Sequence, residues 1–139
     1  MKPSGKKCIF LDRDGVINKT FLIKGKPSAP LFFRDFRILP YVKKTISCFK
    51  KKKYLVIVIT NQPEINKGNL SKKEFDLMSE KLFRVLKIDD LYFCPHKKNE
   101  NCKCRKPKVG LIKKAVKNYQ INIEKSYFIG DRKSDIEIN

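Results

Sequence analysis

Short apolar runs alternate along this chain with longer segments of helical periodicity, and this alternation excludes both all-helical and all-β folds. The strand-like runs are residues 8–11, 54–59, 91–93 and 126–130. Apolar residues recur at helical spacing in between, near residues 41–50, 71–87 and 111–116. The run at 54–59 is continuous and β-branched, which is typical of a central parallel strand. The pattern predicts an α/β fold, a three-layer Rossmann-like parallel sheet.

The chain has 139 residues, which predicts a single domain over 1–139. Residues 19–40 contain three prolines and no clear period, so we expect a long irregular excursion there. The residues Ser71 to Glu74 form a capping box that begins the second helix. Because no apolar run reaches membrane-spanning length and no signal-type stretch follows Met1, we expect a cytoplasmic protein.

The chain is strongly basic, with 33 Lys and Arg against 14 Asp and Glu and a formal net charge of +19. Such charge leaves a polyanion partner open, since Lys and Arg bind phosphate backbones. Only 6 of the basic residues are Arg, however, and base edges and forked phosphate contacts favour the planar guanidinium. We therefore favour a dispersed basic surface that attracts small anions, with no nucleic-acid and no membrane partner.

Polar residues follow three of the four strand-like runs, where open parallel sheets place their ligands. Asp12 and Asp14 alternate after the first run, so both carboxylates can face one cavity. Two acids this close stay ionised only if they share a cation; otherwise one is protonated. An aspartate nucleophile beside an acid/base partner, usually with Mg²⁺, has this arrangement. A simple turn remains the alternative for this pair alone.

Other strand ends supply the remaining parts that phosphoryl transfer requires. Thr60 offers a hydroxyl donor and Lys106 a compact positive charge. Asp131 and Asp135 are further carboxylates suited to a metal. Singly, each has a structural explanation, as a strand end, a surface lysine or a helix N-terminal acid. Together they predict positioning donors, a charge clamp and a bridging Mg²⁺.

Three cysteines and the only histidine cluster in residues 94–104. Cys94 and His96 form one ligand pair and Cys102 and Cys104 another, each separated by one residue, so that both members can face the same ion. Three thiolates and an imidazole form a closed tetrahedral set for structural Zn²⁺. The polar loop between the pairs lacks a core, and zinc would stabilise it. Scattered reduced thiols and a surface histidine are the alternative.

Four segments, in order, resemble the motifs of the haloacid dehalogenase superfamily: residues 10–18 (FLDRDGVIN), 59–62 (ITNQ), 104–107 (CRKP) and 129–135 (IGDRKSD). Together with the Cys/His loop, they resemble its small zinc-containing phosphatase branch, which includes heptose bisphosphate and histidinol phosphatases. Neither the interval from Asp14 to Thr60 nor that from Thr60 to Lys106 holds a large cap domain. The chain also ends soon after the fourth motif, so we expect a C-terminally truncated form of a protein that is a monomer at full length.

The resemblance implies a role for each matching residue. Asp12 is the nucleophile and Asp14 the general acid/base. Phosphate contacts come from Thr60 and Asn61, and Lys106 is the charge clamp. The Mg²⁺ ion is held by the Asp12 side chain, the Asp14 carbonyl and Asp131, with Asp135 orienting the clamp or a metal-bound water.

Without a large cap, loops must select the substrate. The candidates are Arg34 and Arg37 in the excursion, and Arg105 beside the clamp, because guanidinium groups bind anionic substrates in a forked geometry.

The leading expectation is a Mg²⁺-dependent phosphatase that hydrolyses a small phosphorylated metabolite through an aspartyl-phosphate. Residues 28–30 and 34–40 resemble the heptose branch and favour D-glycero-D-manno-heptose 1,7-bisphosphate 7-phosphatase. Residues 105–109 and the spacing of the zinc loop resemble histidinol phosphatase, which stays an alternative. A nucleic-acid 3′-phosphatase, and a non-catalytic basic zinc-binding module, are the other two.

Overall fold

A computed structural model describes residues 5–131, so Asp135 lies outside the described residues and its role stays a prediction. The regular elements, in chain order, are β1 (Cys8–Leu11), β2 (Phe21–Ile23), β3 (Lys26–Ser28), α1 (Val42–Lys51), β4 (Leu55–Asn61), α2 (Lys72–Lys81), β5 (Asp90–Cys94), α3 (Gly110–Tyr119) and β6 (Tyr127–Ile129). Four of the strands form a parallel sheet in the order β5-β4-β1-β6. The predicted α/β parallel architecture is confirmed.

Alternate residues of the two central strands, β1 and β4, pack into two separate hydrophobic cores on opposite faces of the sheet. Ile9 and Leu11 of β1 belong to a cluster that also contains Ile46 of α1 and Phe75 of α2. Cys8 and Phe10, which point to the opposite face, pack instead into a second cluster with Leu111, Ile112 and Ala115 of α3. Because side chains alternate across a strand, one sheet separates two helical layers. This is the three-layer arrangement that the sequence predicts.

Residues 19–40 are more ordered than their sequence pattern predicts. Strands β2 and β3 pair antiparallel, and a turn of Phe33–Asp35 follows them. Lys24 and Gly25 both have positive φ, 52° and 76°, as in a tight two-residue hairpin turn. Proline at position 27 obscures the hairpin in the sequence, although an edge strand tolerates proline.

The second helix begins where the capping box predicts, but the box is only half formed. The Ser71 hydroxyl accepts a hydrogen bond from the backbone N–H of Glu74, 3.1 Å away. The Glu74 carboxylate binds the N–H of Phe33 instead, at 2.8 Å, and so fastens the excursion to α2. The last predicted turns are also not α-helical, since residues Leu82–Leu86 form a π-helical turn.

Within residues 5–131 no large cap domain is inserted, as the motif intervals predict. In the same range, no helix has the length and apolar character needed to span a bilayer. Within this range, no inserted domain covers the carboxyl ends of the strands that carry the sequence motifs.

Candidate active site

Two of the predicted catalytic residues, Asp12 and Lys106, meet at the carboxyl end of β1. Asp12 and Lys106 are both buried, and Asp12 Oδ1 lies 2.9 Å from Lys106 Nζ. The backbone N–H of Asp12 donates to the carbonyl of Ile129 at 3.0 Å, which fixes this residue between β1 and β6. The structure thus pairs the expected nucleophile with the expected charge clamp, although they are far apart in sequence.

Four hydrogen bonds from residues 5–131 hold Asp14, the expected acid/base. Its Oδ1 accepts from Arg13 Nε at 3.0 Å, from Arg13 Nη2 at 2.8 Å and from Asn18 Nδ2 at 3.0 Å. Its Oδ2 accepts from Gln62 Nε2 at 2.7 Å. The carboxylate is therefore bound very differently at its two oxygens.

Thr60 shares the same amide donor. Gln62 Nε2 lies 3.0 Å from Thr60 Oγ1, and both residues are buried. Since that nitrogen also faces the acceptor-only carboxylate of Asp14, the amide must present its NH₂ group here. The Thr60 oxygen accepts this bond. Thr60 has no exposed surface and is not among the residues that line the cavity described below, so its contact with a phosphate stays a prediction.

Asn61 binds the backbone of the clamp residue. Its Oδ1 accepts from the N–H of Lys106 at 3.0 Å, and its Nδ2 donates to the Lys106 carbonyl at 3.3 Å. The family resemblance assigns Asn61 to the phosphate, and it does line the cavity. The contact between Asn61 and a phosphate stays a prediction. In the structure, the Asn61 side chain joins β4 to the segment that carries Lys106.

Asp131 packs against the loop that carries Asp14. A Cβ atom placed on Gly15 would lie 2.0 Å from Asp131 Oδ2, and Gly15 has a φ of +86°. Only a residue without a side chain allows this approach. The arrangement brings Asp131 close to the Asp12–Asp14 segment and offers the carboxylate and carbonyl oxygens that Mg²⁺ prefers.

Gly15→Ala should therefore impair both stability and Mg²⁺-dependent activity. The left-handed backbone alone costs about 1–2 kcal/mol for a residue with a Cβ, and the methyl group also displaces Asp131. Thermal unfolding and the Mg²⁺ concentration for half-maximal activity measure the two effects. Gly25→Ala is the matched control, because φ is +76° there and nothing lies within 4 Å of the added Cβ. If Gly15→Ala and Gly25→Ala reach half-maximal activity at the same Mg²⁺ concentration, the packing of Asp131 against Gly15 does not contribute to Mg²⁺ binding.

The predicted zinc ligands also come together. One ligand atom each from Cys94, His96, Cys102 and Cys104 lies within 4.8 Å of all the others. Cys94 Sγ is 3.3 Å from His96 Nδ1 and 3.6 Å from Cys102 Sγ. Burial acts to raise the pKa of the Cys102 thiol, but hydrogen bonds from the backbone of Arg105 and Cys104 prevail and lower it to about 6. A thiolate is the form that binds zinc.

A cavity of about 510 Å³ opens over Asp12, Asp14 and Lys106. Its wall includes the two predicted catalytic acids, the β2–β3 hairpin, the segment after β4 and the segment that carries Lys106: Asp12, Asp14, Ile23, Pro27, Ser28, Ala29, Leu31, Asn61, Gln62, Pro63, Glu64, Lys67, Asn69, Arg105 and Lys106. Arg105 is present, as predicted. Arg34 and Arg37 are not among the lining residues, because Arg34 is exposed over Phe32 and Arg37 donates to the Arg34 carbonyl. Their role as substrate contacts stays a prediction.

Three residues of the site lie within the sequence motifs but have no predicted role: Arg13, Asn18 and Gln62. A signal existed for Gln62, since it lies two residues after Thr60 in extended backbone and so shares its face. Arg13 lies between the two acids, but sequence alone does not show whether its side chain turns inward or to solvent.

Residues 7–136 match the family model described as polynucleotide kinase 3 phosphatase. The chain belongs to this family. It is also 40% identical over 136 residues to D-glycero-beta-D-manno-heptose-1,7-bisphosphate 7-phosphatase of Helicobacter pylori, with 94% of this chain and 75% of that protein covered. A D-glycero-alpha-D-manno-heptose-1,7-bisphosphate 7-phosphatase of Campylobacter jejuni is 34% identical over 138 residues, with 94% and 74% covered.

The fold of this family member also matches solved structures. The D,D-heptose 1,7-bisphosphate phosphatase of B. bronchiseptica, complexed with magnesium and phosphate, superimposes with a TM-score of 0.82. The match has 24% identity and covers 95% of this chain and 74% of that one. These findings confirm the haloacid dehalogenase fold and the heptose bisphosphate phosphatase branch that the motifs indicate.

Proposed function

We propose that this chain is a Mg²⁺-dependent phosphatase that hydrolyses the 7-phosphate of D-glycero-D-manno-heptose 1,7-bisphosphate through an aspartyl-phosphate. The observation that carries the chemistry is the buried Asp12–Lys106 pair, 2.9 Å apart, in the same cavity as Asp14. A buried carboxylate beside a lysine and a second acid has the composition of a phosphoryl-transfer site.

Asp12, Asp14 and Asp131 would hold Mg²⁺, which neutralises phosphate charge and orients the phosphoryl group. The Asp12 carboxylate attacks phosphorus while Lys106 and the Thr60 hydroxyl bind the phosphoryl oxygens. Asp14 protonates the leaving sugar oxygen. In the second step Asp14 takes a proton from water, whose oxygen attacks phosphorus and releases Asp12.

The heptose substrate is proposed from the relatives and is compatible with the cavity. Besides Lys106, the cations Lys67 and Arg105 line the wall, and a bisphosphate brings a second anionic group that they can bind. The H. pylori and C. jejuni relatives differ in the anomer that their names specify, so the anomer is part of the test.

The second metal in the proposal is a structural Zn²⁺ bound by Cys94, His96, Cys102 and Cys104. The close grouping of three sulfur atoms and one imidazole nitrogen supports it, because this ligand set favours zinc over harder cations. Zinc would fix the segment that leads directly into Arg105 and Lys106.

A substrate panel tests the proposal. Phosphate release is measured on both anomers of the heptose 1,7-bisphosphate, on histidinol phosphate and on an oligonucleotide 3′-phosphate, with Mg²⁺ and with a chelator. We expect hydrolysis of one heptose anomer at the 7 position with the highest kcat/KM, lost on chelation and restored by Mg²⁺. A preference for histidinol phosphate or the oligonucleotide would support the corresponding alternative. Absence of Mg²⁺-dependent turnover on every substrate would contradict an enzymatic role.

A further inference from the structure

The acid/base carboxylate is bound asymmetrically by a buried arginine that the mechanism above does not use. Arg13 has no exposed surface, and its guanidinium carbon lies 5.3 Å from the ring centre of Phe36 and 5.8 Å from that of Phe75. Its Nη1 donates to the sulfur of Met78 at 3.6 Å. Among the described residues, Asp14 is the carboxylate that pairs with this buried charge, at 2.8 Å.

The two oxygens of Asp14 differ in how many donors they already face. Oδ1 receives three, two of them from Arg13, which exhausts the positions available around one carboxylate oxygen. Among residues 5–131, the Gln62 amide is the one donor that Oδ2 receives. Asp14 lines the cavity, and of its two oxygens Oδ2 is the one with room for a further hydrogen-bond partner.

We propose that Arg13 is a positioning residue for proton transfer: it saturates Oδ1 of Asp14, so that Oδ2 is the oxygen that gives and takes the proton. The inference rests on the proposed phosphatase function and specifies how its acid/base group works. Arg13 touches no reacting atom, and its effect passes through the orientation of one carboxylate.

The proton step then involves defined atoms. A bond forms between Asp12 and phosphorus while the bond from phosphorus to the sugar oxygen breaks, and that oxygen keeps the electron pair. The proton on Asp14 Oδ2 moves to the sugar oxygen, which leaves as an alcohol. Oδ2 next accepts a proton from the attacking water, the new phosphorus–oxygen bond releases the Asp12 carboxylate, and inorganic phosphate departs. If the carboxylate can rotate, the proton is no longer aimed at the leaving oxygen.

The leaving group distinguishes positioning from general structural support. A sugar alkoxide needs a proton as it departs, whereas 4-nitrophenolate is a stable anion and needs little assistance. Because kcat/KM reports steps up to the first irreversible one, it reports capture of the phosphoryl group and not the later hydrolysis of the aspartyl-phosphate. General acid assistance is typically worth about 10²–10⁴ in rate.

The test compares kcat/KM for the heptose 1,7-bisphosphate and for 4-nitrophenyl phosphate in the unsubstituted protein, Arg13→Met and Arg13→Lys. Met retains the length and apolar stem of Arg without its donors, and Lys keeps a buried charge without the fork. For Arg13→Met we expect a loss of about 100-fold on the sugar phosphate and less than about 10-fold on the aryl phosphate. For Arg13→Lys we expect a smaller loss with the same selectivity.

Met78→Leu is the matched control, because it alters the same core wall but leaves both Arg13–Asp14 hydrogen bonds in place. It should lower both kcat/KM values equally and by less than about threefold. Equal losses on the two substrates in the Arg13 variants, or no loss, would overturn the inference while leaving the phosphatase function intact. If Arg13→Met does not fold, as judged by circular dichroism, Arg13→Lys decides alone. An unsubstituted protein inactive on both substrates would contradict the proposed function itself, and the inference with it.

Discussion

Asp12→Asn is expected to abolish turnover while leaving the fold intact. The amide is nearly isosteric with the carboxylate but cannot form an acyl phosphate, so the rate should fall by about 10⁴-fold or more. The substitution also breaks the buried ion pair with Lys106, and we expect a drop in thermal stability. Steady-state kinetics with Mg²⁺ and a thermal unfolding curve measure the two effects.

Asp76→Asn is the matched control for that substitution. Asp76 is exposed on α2, where it pairs with Lys72 at 2.6 Å, and surface pairs of this kind contribute little to stability. This variant should keep both its activity and its unfolding temperature. If Asp12→Asn retained more than about a thousandth of the rate, water would attack phosphorus directly and Asp12 would have another role.

Cys102→Ser is expected to abolish binding of the proposed zinc ion and to lower activity, although it removes no group that is proposed to contact the substrate. Serine is a poor zinc ligand, so metal analysis should fall from about one zinc per chain towards zero. The segment beyond the cluster would then loosen, since Gly110 packs against the backbone of Lys103 and Lys108 Nζ donates to the Cys102 carbonyl at 2.6 Å. Displacement of Lys106 should reduce kcat by about 10- to 100-fold, in the range that changes outside a site's first ligands produce.

Cys48→Ser separates loss of zinc from loss of a cysteine as such. Cys48 is exposed on α1, outside the four-residue cluster, so this variant should retain zinc, unfolding temperature and activity. The proposal for the loop is wrong if Cys102→Ser loses its zinc and yet shows normal kinetics and thermal stability.

The layers of the fold could be predicted because the residue types of each strand reflect its environment directly. Residues of β4 from Val56 to Ile59 are all buried, and a continuous β-branched run is typical of a strand covered on both faces. The hairpin of β2 and β3 could not be predicted in the same way. Its strands have three residues each and are partly exposed, so they lack the apolar pattern that identifies a buried strand.

The residues of the candidate site could be predicted from the sequence, but the hydrogen bonds between them could not. Asp12, Thr60 and Lys106 can be identified by residue type, because each lies at or beyond the carboxyl end of a strand. That Asn61 binds the backbone of Lys106, and that one amide of Gln62 bridges Asp14 and Thr60, depends on side-chain directions that spacing alone does not determine. These connections decide where the predicted groups point.

The bond between Asn61 and Lys106 has a consequence for engineering and for evolution. A short side-chain amide on β4 both donates to and accepts from the backbone of the same residue, which a carboxylate or a hydroxyl of similar size would not reproduce. The segment after residues 94–104 is therefore not a free module that can be exchanged alone. A loop transplanted from another protein would place its lysine correctly only in a recipient that has asparagine at position 61. We therefore expect the end of β4 and the segment around Lys106 to change together as sequences diverge.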